Sequence, residues 1–423
     1  MISQFNINSF LNFGFFLDSN DTPFTIDESL IDQKKYADCN FSDLIDIGYD
    51  ILLKSFTKIH SKNLDSENVV PISGGLDSRL VLGFLSKIID SRNIKTYTYG
   101  QKNNIDFVIA NRLSQVLGTN HKNFILTVND YTQKSLESSS NRMNNKVPVF
   151  FHPNFEKIDK HFSESTIWSG FLGCLWKGKS LPLKISNSKA QSIDHFVRYN
   201  RLRNSELYSY DDNLLITYLN NSLKENSQLS FDDQLSFFQR QSKYTFNYVS
   251  FKGQKKVLFP LLEKENIGFW LSIDHESQRQ KSKLLISIME RYFPELYRVP
   301  NTEIFGAAES DNYFSKKVKK FSFKLRNRLS SFYAGIDPSQ ISYINFRKSF
   351  HNSEKFREII KQNLSNLSDR KVMGDWFMSR HNNLNWSTKL DIEKIFEDAS
   401  KTKKKPIHDI LNLVSLEIIM KNQ

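Results

Sequence analysis

Cysteine is nearly absent from this 423-residue chain, which has only Cys39 and Cys174. That excludes a disulfide-stapled scaffold and a Cys-rich zinc cluster, and it suits a reducing compartment. Long apolar runs are missing too; none approaches the ~20 residues of a membrane-spanning helix. The start, Met1-Ile2-Ser3-Gln4, opens no signal peptide. No two of the nine histidines have metal-ligand spacing, and the chain carries no internal repeat or long low-complexity linker. These absences predict a soluble, cytoplasmic protein. What is present is ordinary globular composition, 39% hydrophobic and 25% charged, which argues against wholesale disorder. Charge is unbalanced: 58 Lys and Arg against 46 Asp and Glu give a net +12. That favours a polyanionic neighbour, such as nucleotide phosphates, an anionic glycan, nucleic acid or a lipid surface, without choosing among them.

Residues 1–40 read as a short, partly extended lead-in with a turn at Asp18-Ser19-Asn20-Asp21. With Ser42 as N-cap, Leu44, Ile47, Ile51, Leu52, Phe56 and Ile59 recur at helical intervals. A short buried strand over 69–72 is followed by Ser73-Gly74-Gly75-Leu76-Asp77-Ser78 and then an apolar-faced helix. The alternation continues with strands over 95–99, 123–127 and 166–169 and helices over 106–117, 131–143 and from after His152-Pro153 to about 162. Such alternation predicts an α/β fold with a doubly wound parallel sheet. Beyond about residue 190 no strand is evident. The segments 231–248, 267–273, 281–293, 354–367 and 406–420 read as helices, so the second half is expected to be mainly α.

The Ser73–Ser78 loop carries the chemistry. Two glycines let backbone approach an oxyanion closely, and a helix beginning there aims N–H groups and its dipole at one spot. Ser73 and Ser78 add hydroxyl donors. Asp77 would repel phosphate unless a divalent cation lay between them, which gives it a magnesium-ligand role. The spacing is neither that of a Walker A loop nor that of a dinucleotide-binding turn.

This loop resembles the pyrophosphate loop of ATP pyrophosphatases, and its surroundings are similar to the synthase domain of the asparagine synthetase family. Tyr97-Thr98-Tyr99-Gly100, Asp106, Ala110, Leu117-Gly118 and His121 are similar to that domain's second strand and helix. Trp168-Ser169-Gly170 stands where the family has Ser-Gly-Glu-Gly-Ser-Asp-Glu, and Phe259-Pro260-Leu261-Leu262-Glu263 resembles its Pro-Phe-Leu-Asp motif. The resemblance implies a sheet of the adenine-nucleotide α-hydrolase (PP-loop) type over 41–300, followed by a helical region over 301–423. It implies ATP and Mg2+ as cofactors and an amide-forming ligase that adenylates a carboxylate, then transfers ammonia or an amine to it. Ser73, Gly74, Gly75, Asp77 and Ser78 would hold pyrophosphate, with Asp77 on the metal. Ile72, Tyr99, Gly100, Ser169 and Gly170 would flank the adenosine. Stand-alone relatives point to a glycan or small-molecule carboxylate in surface-polysaccharide assembly.

Three departures accompany the match. Ile2 stands where full-length relatives expose a glutaminase cysteine, so nitrogen is expected from a separate glutaminase or from a free amine. Phe171 and Cys174 align with acidic positions of the family, and a thiol is a poor magnesium ligand. The family's lysine has no clear counterpart near 297–302, leaving Arg298 and Lys281 as catalytic candidates. These departures motivate the alternative of a non-catalytic nucleotide-binding or scaffold homologue.

Beyond the loop, seven basic residues fall between Ser315 and Arg328, with Phe314, Val318, Phe321 and Leu325 at helical spacing. The plainer reading is a surface helix whose apolar face packs on the body. The sharper one is docking on anionic lipid or a lipid-linked glycan, which would make the protein peripheral at the inner membrane face. Nothing resembles a nucleic-acid module, so no nucleic-acid partner is expected.

Overall fold

The structure, a computed structural model, describes residues 2–19, 23–64, 66–102, 104–151, 155–173, 178, 181–202, 207–208, 211–249, 256–304, 307–334, 344–373, 395–396 and 406–423. His152, Cys174 and the lysines at 401 and 403–405 lie outside them. Strands β1 (Asn68–Pro71), β2 (Ile94–Gly100), β3 (Asn120–Ile125), β4 (Thr166–Trp168) and β5 (Lys256–Leu258) form one all-parallel sheet in the order β3-β2-β1-β4-β5. The helices of the first half include α1 (Gln4–Phe13), α2 (Phe41–His60), α3 (Leu76–Ser86), α4 (Ile105–Leu117), α5 (Gln133–Arg142) and α6 (Glu156–His161). Two later ones, α7 (Tyr313–Ala334) and α8 (Pro406–Lys421), enter below.

Alternation along β1 explains the layers. Val69 and Val70 point to opposite faces and both are fully buried, so each face needs a cover. Val70 and Ile72 pack with residues of α2, α3 and α4. Val69 packs with Tyr97 and Phe124 of the neighbouring strands and with Phe155, Ile158 and Phe162 around α6. The chain therefore winds outward through α3 and α4 on one face, then returns across the other face to place β4 beside β1.

The expected helices of the second half are present, including 231–249, whose middle, Leu235–Thr245, is π-helical. Three expectations are corrected. The lead-in contains α1, capped by Ser3 accepting the Asn6 N–H and ended by Gly14 at φ 77°. Its polar residues Asn8, Ser9 and Asn12 are buried along with Ile7, Phe10 and Leu11. A helix buried nearly all round has no polar face for periodicity to reveal. β5 lies beyond residue 190 and pairs with β4; three residues are too few for an alternation signal. Asn40, not Ser42, caps α2 by accepting the Asp43 N–H, while Ser42 Oγ accepts a bond from Arg291 at 3.1 Å.

Candidate functional site

β1 ends at Pro71, and the chain turns into α3 where the strand order reverses. The strands beside it are β2, ending in Tyr99-Gly100, and β4, followed by Ser169-Gly170. The three segments singled out in the sequence thus sit at the carboxyl ends of adjacent strands. That crevice is where open parallel sheets bind ligands.

Within the turn, Ile72 donates its N–H to the Tyr97 carbonyl at 2.9 Å, and its own carbonyl accepts the Thr98 hydroxyl at 2.6 Å. Ser78 Oγ accepts the Ser73 N–H at 3.1 Å, and Ser73 Oγ accepts the Gly75 N–H at 3.3 Å. Gly74 is held from two sides: its N–H donates to Asp106 Oδ1 at 2.8 Å, and its carbonyl accepts the Thr302 N–H at 3.0 Å. A Cβ at Gly74 would lie 2.3 Å from the Thr302 methyl, so close approach requires glycine here.

Asp77 sits in the first turn of α3, half-buried against the loop that follows β4. A Cβ at Gly170 would come within 3.1 Å of the Asp77 carbonyl carbon, and one at Gly173 within 2.5 Å of Asp77 Oδ1. Both glycines let that loop lie flat on the carboxylate side chain. Leu172 between them takes a left-handed backbone, φ 73°. Gly75 starts α3 with no side-chain cap, so the first-turn N–H groups of an 11-residue helix face the loop mouth.

These features fit a phosphate chain: an uncapped helix start, two hydroxyls, and glycines crowded to van der Waals contact. A magnesium ion fits as well. No cluster of three potential metal ligands exists among the described residues. One carboxylate with substrate phosphates and water nevertheless satisfies this ion. Tyr99 is half-buried, and the Gly100 carbonyl accepts the Leu126 N–H at 2.8 Å.

The remaining candidates lie as follows. Arg298 is exposed, and Lys281 is an exposed residue of a left-handed turn, φ 54°. Among the described residues, no hydrogen bond or ion pair joins either to the Ser73–Ser78 loop. Phe171 is buried in an aromatic cluster, its ring centroid 5.8, 5.6 and 5.7 Å from those of Phe24, Phe246 and Phe259. His121 is a structural bridge between Thr96 Oγ1 at 2.8 Å and Asn123 at 3.1 Å, and burial lowers its pKa.

Sequence reading missed two residues that build the site. Arg79, with 0% exposure, donates Nη1 to the carbonyls of Leu296 and Val299 at 3.0 and 2.8 Å, and Nη2 to that of Pro300 at 2.6 Å. It ties down the segment that delivers Thr302, the second missed residue, onto Gly74. The signal for Arg79 was an arginine inside the apolar run of α3; Thr302 offered none.

The family model for asparagine synthase matches residues 63–142, a stretch spanning β1, the Ser73–Ser78 loop, α3, β2, α4, β3 and α5. No curated protein matches the chain. Residues 63–142 are therefore similar to the synthase domain of the asparagine synthetase family.

Proposed function

We propose that this protein is an ATP-dependent amide-forming ligase that adenylates a carboxylate and passes it to ammonia or an amine. The observation that carries the reading is the Ser73–Ser78 turn at the reversal of strand order, inside the matched segment. A carboxylate oxygen would attack the α-phosphate of ATP, releasing pyrophosphate; an amine would then attack the acyl carbon, releasing AMP. The largest demand is stabilising the pyrophosphate as charge develops on it. The first-turn N–H groups of α3 and the hydroxyls of Ser73 and Ser78 would meet that demand. Ser78 would exchange its bond with the Ser73 N–H for one to phosphate. Magnesium, when bound at Asp77, would neutralise phosphate charge. Ile72, Tyr99-Gly100 and Ser169-Gly170 would border the adenosine, as in a PP-loop fold. A sugar acid of a surface polysaccharide is the carboxylate we favour, by analogy with the stand-alone relatives.

ATP–pyrophosphate exchange with a panel of carboxylates, including uronic acids, tests the reading. Exchange that depends on one carboxylate supports it. A second reading, a nucleotide binder without catalysis, draws on Phe171, which is packed among aromatic rings where the family has an acid, and on the Asp106 hold over the Gly74 N–H. ATP binding without carboxylate-dependent exchange would favour it.

A further inference from the structure

Thirteen large hydrophobic residues are exposed among those described, and five of them lie on α7. Tyr313 and Phe314 are 74% and 76% exposed, Phe321 68%, and Val318 and Leu325 47% each. At about 100° per residue, Phe314, Val318, Phe321 and Leu325 share one narrow face of the helix. The expectation that this face packs on the body is thus overturned: it points to solvent. The other eight exposed hydrophobics are scattered through the fold and need no explanation.

The charge around this stripe has one sign. Seven basic residues occupy 315–328, and no acid occurs from 312 to 336. The acids just before the helix, Glu309 and Asp311, pair with Lys316 at 3.4 Å and Lys319 at 2.6 Å and fasten its start to the body. Glu309 also accepts from Asn301 at 2.9 Å, next to the Thr302 wall of the nucleotide loop. The helix base is therefore fixed while its apolar face is presented outward.

We propose that α7 docks the protein onto an anionic lipid bilayer, lying in the headgroup plane. Phe314, Val318, Phe321 and Leu325 enter the acyl boundary, and Lys317 and Lys320 meet lipid phosphates. The charge argues for this occupant over a second copy of the chain, since pairing would juxtapose two basic helices in a protein already at +12. No helix among the described residues is long and apolar enough to cross a membrane, so contact would be at the surface.

The test is co-sedimentation of the full chain with phosphatidylglycerol-containing and pure phosphatidylcholine vesicles, at low and high salt. The wild type should bind the anionic vesicles at least about tenfold more tightly, and salt should weaken that binding. Phe314→Ser with Phe321→Ser should reduce binding by at least about tenfold. Lys317→Gln with Lys320→Gln should reduce it by about fivefold per lysine on anionic vesicles. Both variants should keep wild-type circular dichroism and ATP affinity. Equal binding to neutral and anionic vesicles, or unaltered binding by the variants, overturns the proposal. So does a wild-type dimer in light scattering that Phe314→Ser dissociates, because a second copy would then cover the stripe. Vesicle binding is read without catalysis, so it stands or falls separately from the ligase assignment.

Discussion

At Gly74 a single added methyl group would have to share space with the Thr302 methyl and would lie 3.0 Å from Asp106 Oδ1. Gly74→Ala should therefore push the 302 segment off the loop, costing about 1–3 kcal/mol of stability and at least about tenfold in ATP affinity. Calorimetric ATP titration beside a thermal melt reads both; unaltered affinity would remove the loop from the binding site. Asp77→Asn changes charge at constant shape, so contacts with Gly170 and Gly173 survive. If Asp77 holds the cation, exchange activity should fall roughly a thousandfold and magnesium should no longer tighten ATP binding. Persisting magnesium dependence would sink the assignment. At this scale the strand-to-helix turn of Ser73, Gly74, Gly75, Asp77 and Ser78 was legible in the sequence because its residues are adjacent. Thr302 was not, because its role arises from contact across more than 200 positions.

The link between elements is Arg79, which joins α3 to the 296–300 segment through three carbonyls. Arg79→Met keeps the side chain's bulk but strands buried acceptors, a loss of about 3 kcal/mol or more. Amide exchange should accelerate across 296–302, with ATP affinity falling as Thr302 loosens; unchanged exchange there would refute the positioning role. In the π-helix Leu235–Thr245, Lys243 donates to the Leu17 carbonyl and to Tyr218 Oη, the latter at 3.0 Å. Burial pushes its pKa down to about 8, against a weaker upward pull from Asp18. Below pH 8 both folded and unfolded chains hold this proton, and the folded state carries the full cost of a buried charge. Between about 8 and the ordinary value near 10.5 only the unfolded chain holds it, so stability rises with pH, by roughly 3 kcal/mol over the window. Lys243→Met should lack this rise, so the difference between variant and wild type should shift in favour of the wild type from pH 7 to 10 in urea titrations. A constant difference would show that the lysine is not perturbed.

Over the whole molecule, apolar burial divides into two large clusters. One surrounds the sheet and α3. The other joins α1, α5, the helix Glu354–Asp369 and α8, so both ends of the chain contribute to one core. Arg370 pairs with Glu417, and Lys421 Nζ bonds Glu137 at 2.5 Å, fastening α8 to its neighbours. Eight apolar residues between Ile407 and Ile419 are buried. At about 1.5–3 kcal/mol each, their burial is comparable to or larger than a typical net stability of about 5–15 kcal/mol. Removing residues 406–423 should therefore abolish cooperative unfolding and expose α1 to protease; a sharp wild-type melt for the truncated chain would count against the shared core.

The sequence by itself determined the strand–loop–helix rhythm from 69 to 169, the glycine-rich turn at Ser73–Ser78, the helical second half and the basic amphipathic character of 314–328. Each is written in periodicity or in adjacent residues, where local propensity and spacing suffice. Only the tertiary structure decided that Thr302 walls Gly74, that Gly170 and Gly173 lie on Asp77, that Arg79 braces 296–300, and that α1 belongs to the core of α8. It also decided that Phe171 faces aromatic rings and that the apolar stripe of α7 faces solvent. These are outcomes of long-range packing, and residues separated by tens to hundreds of positions leave no local pattern that announces which surfaces will meet.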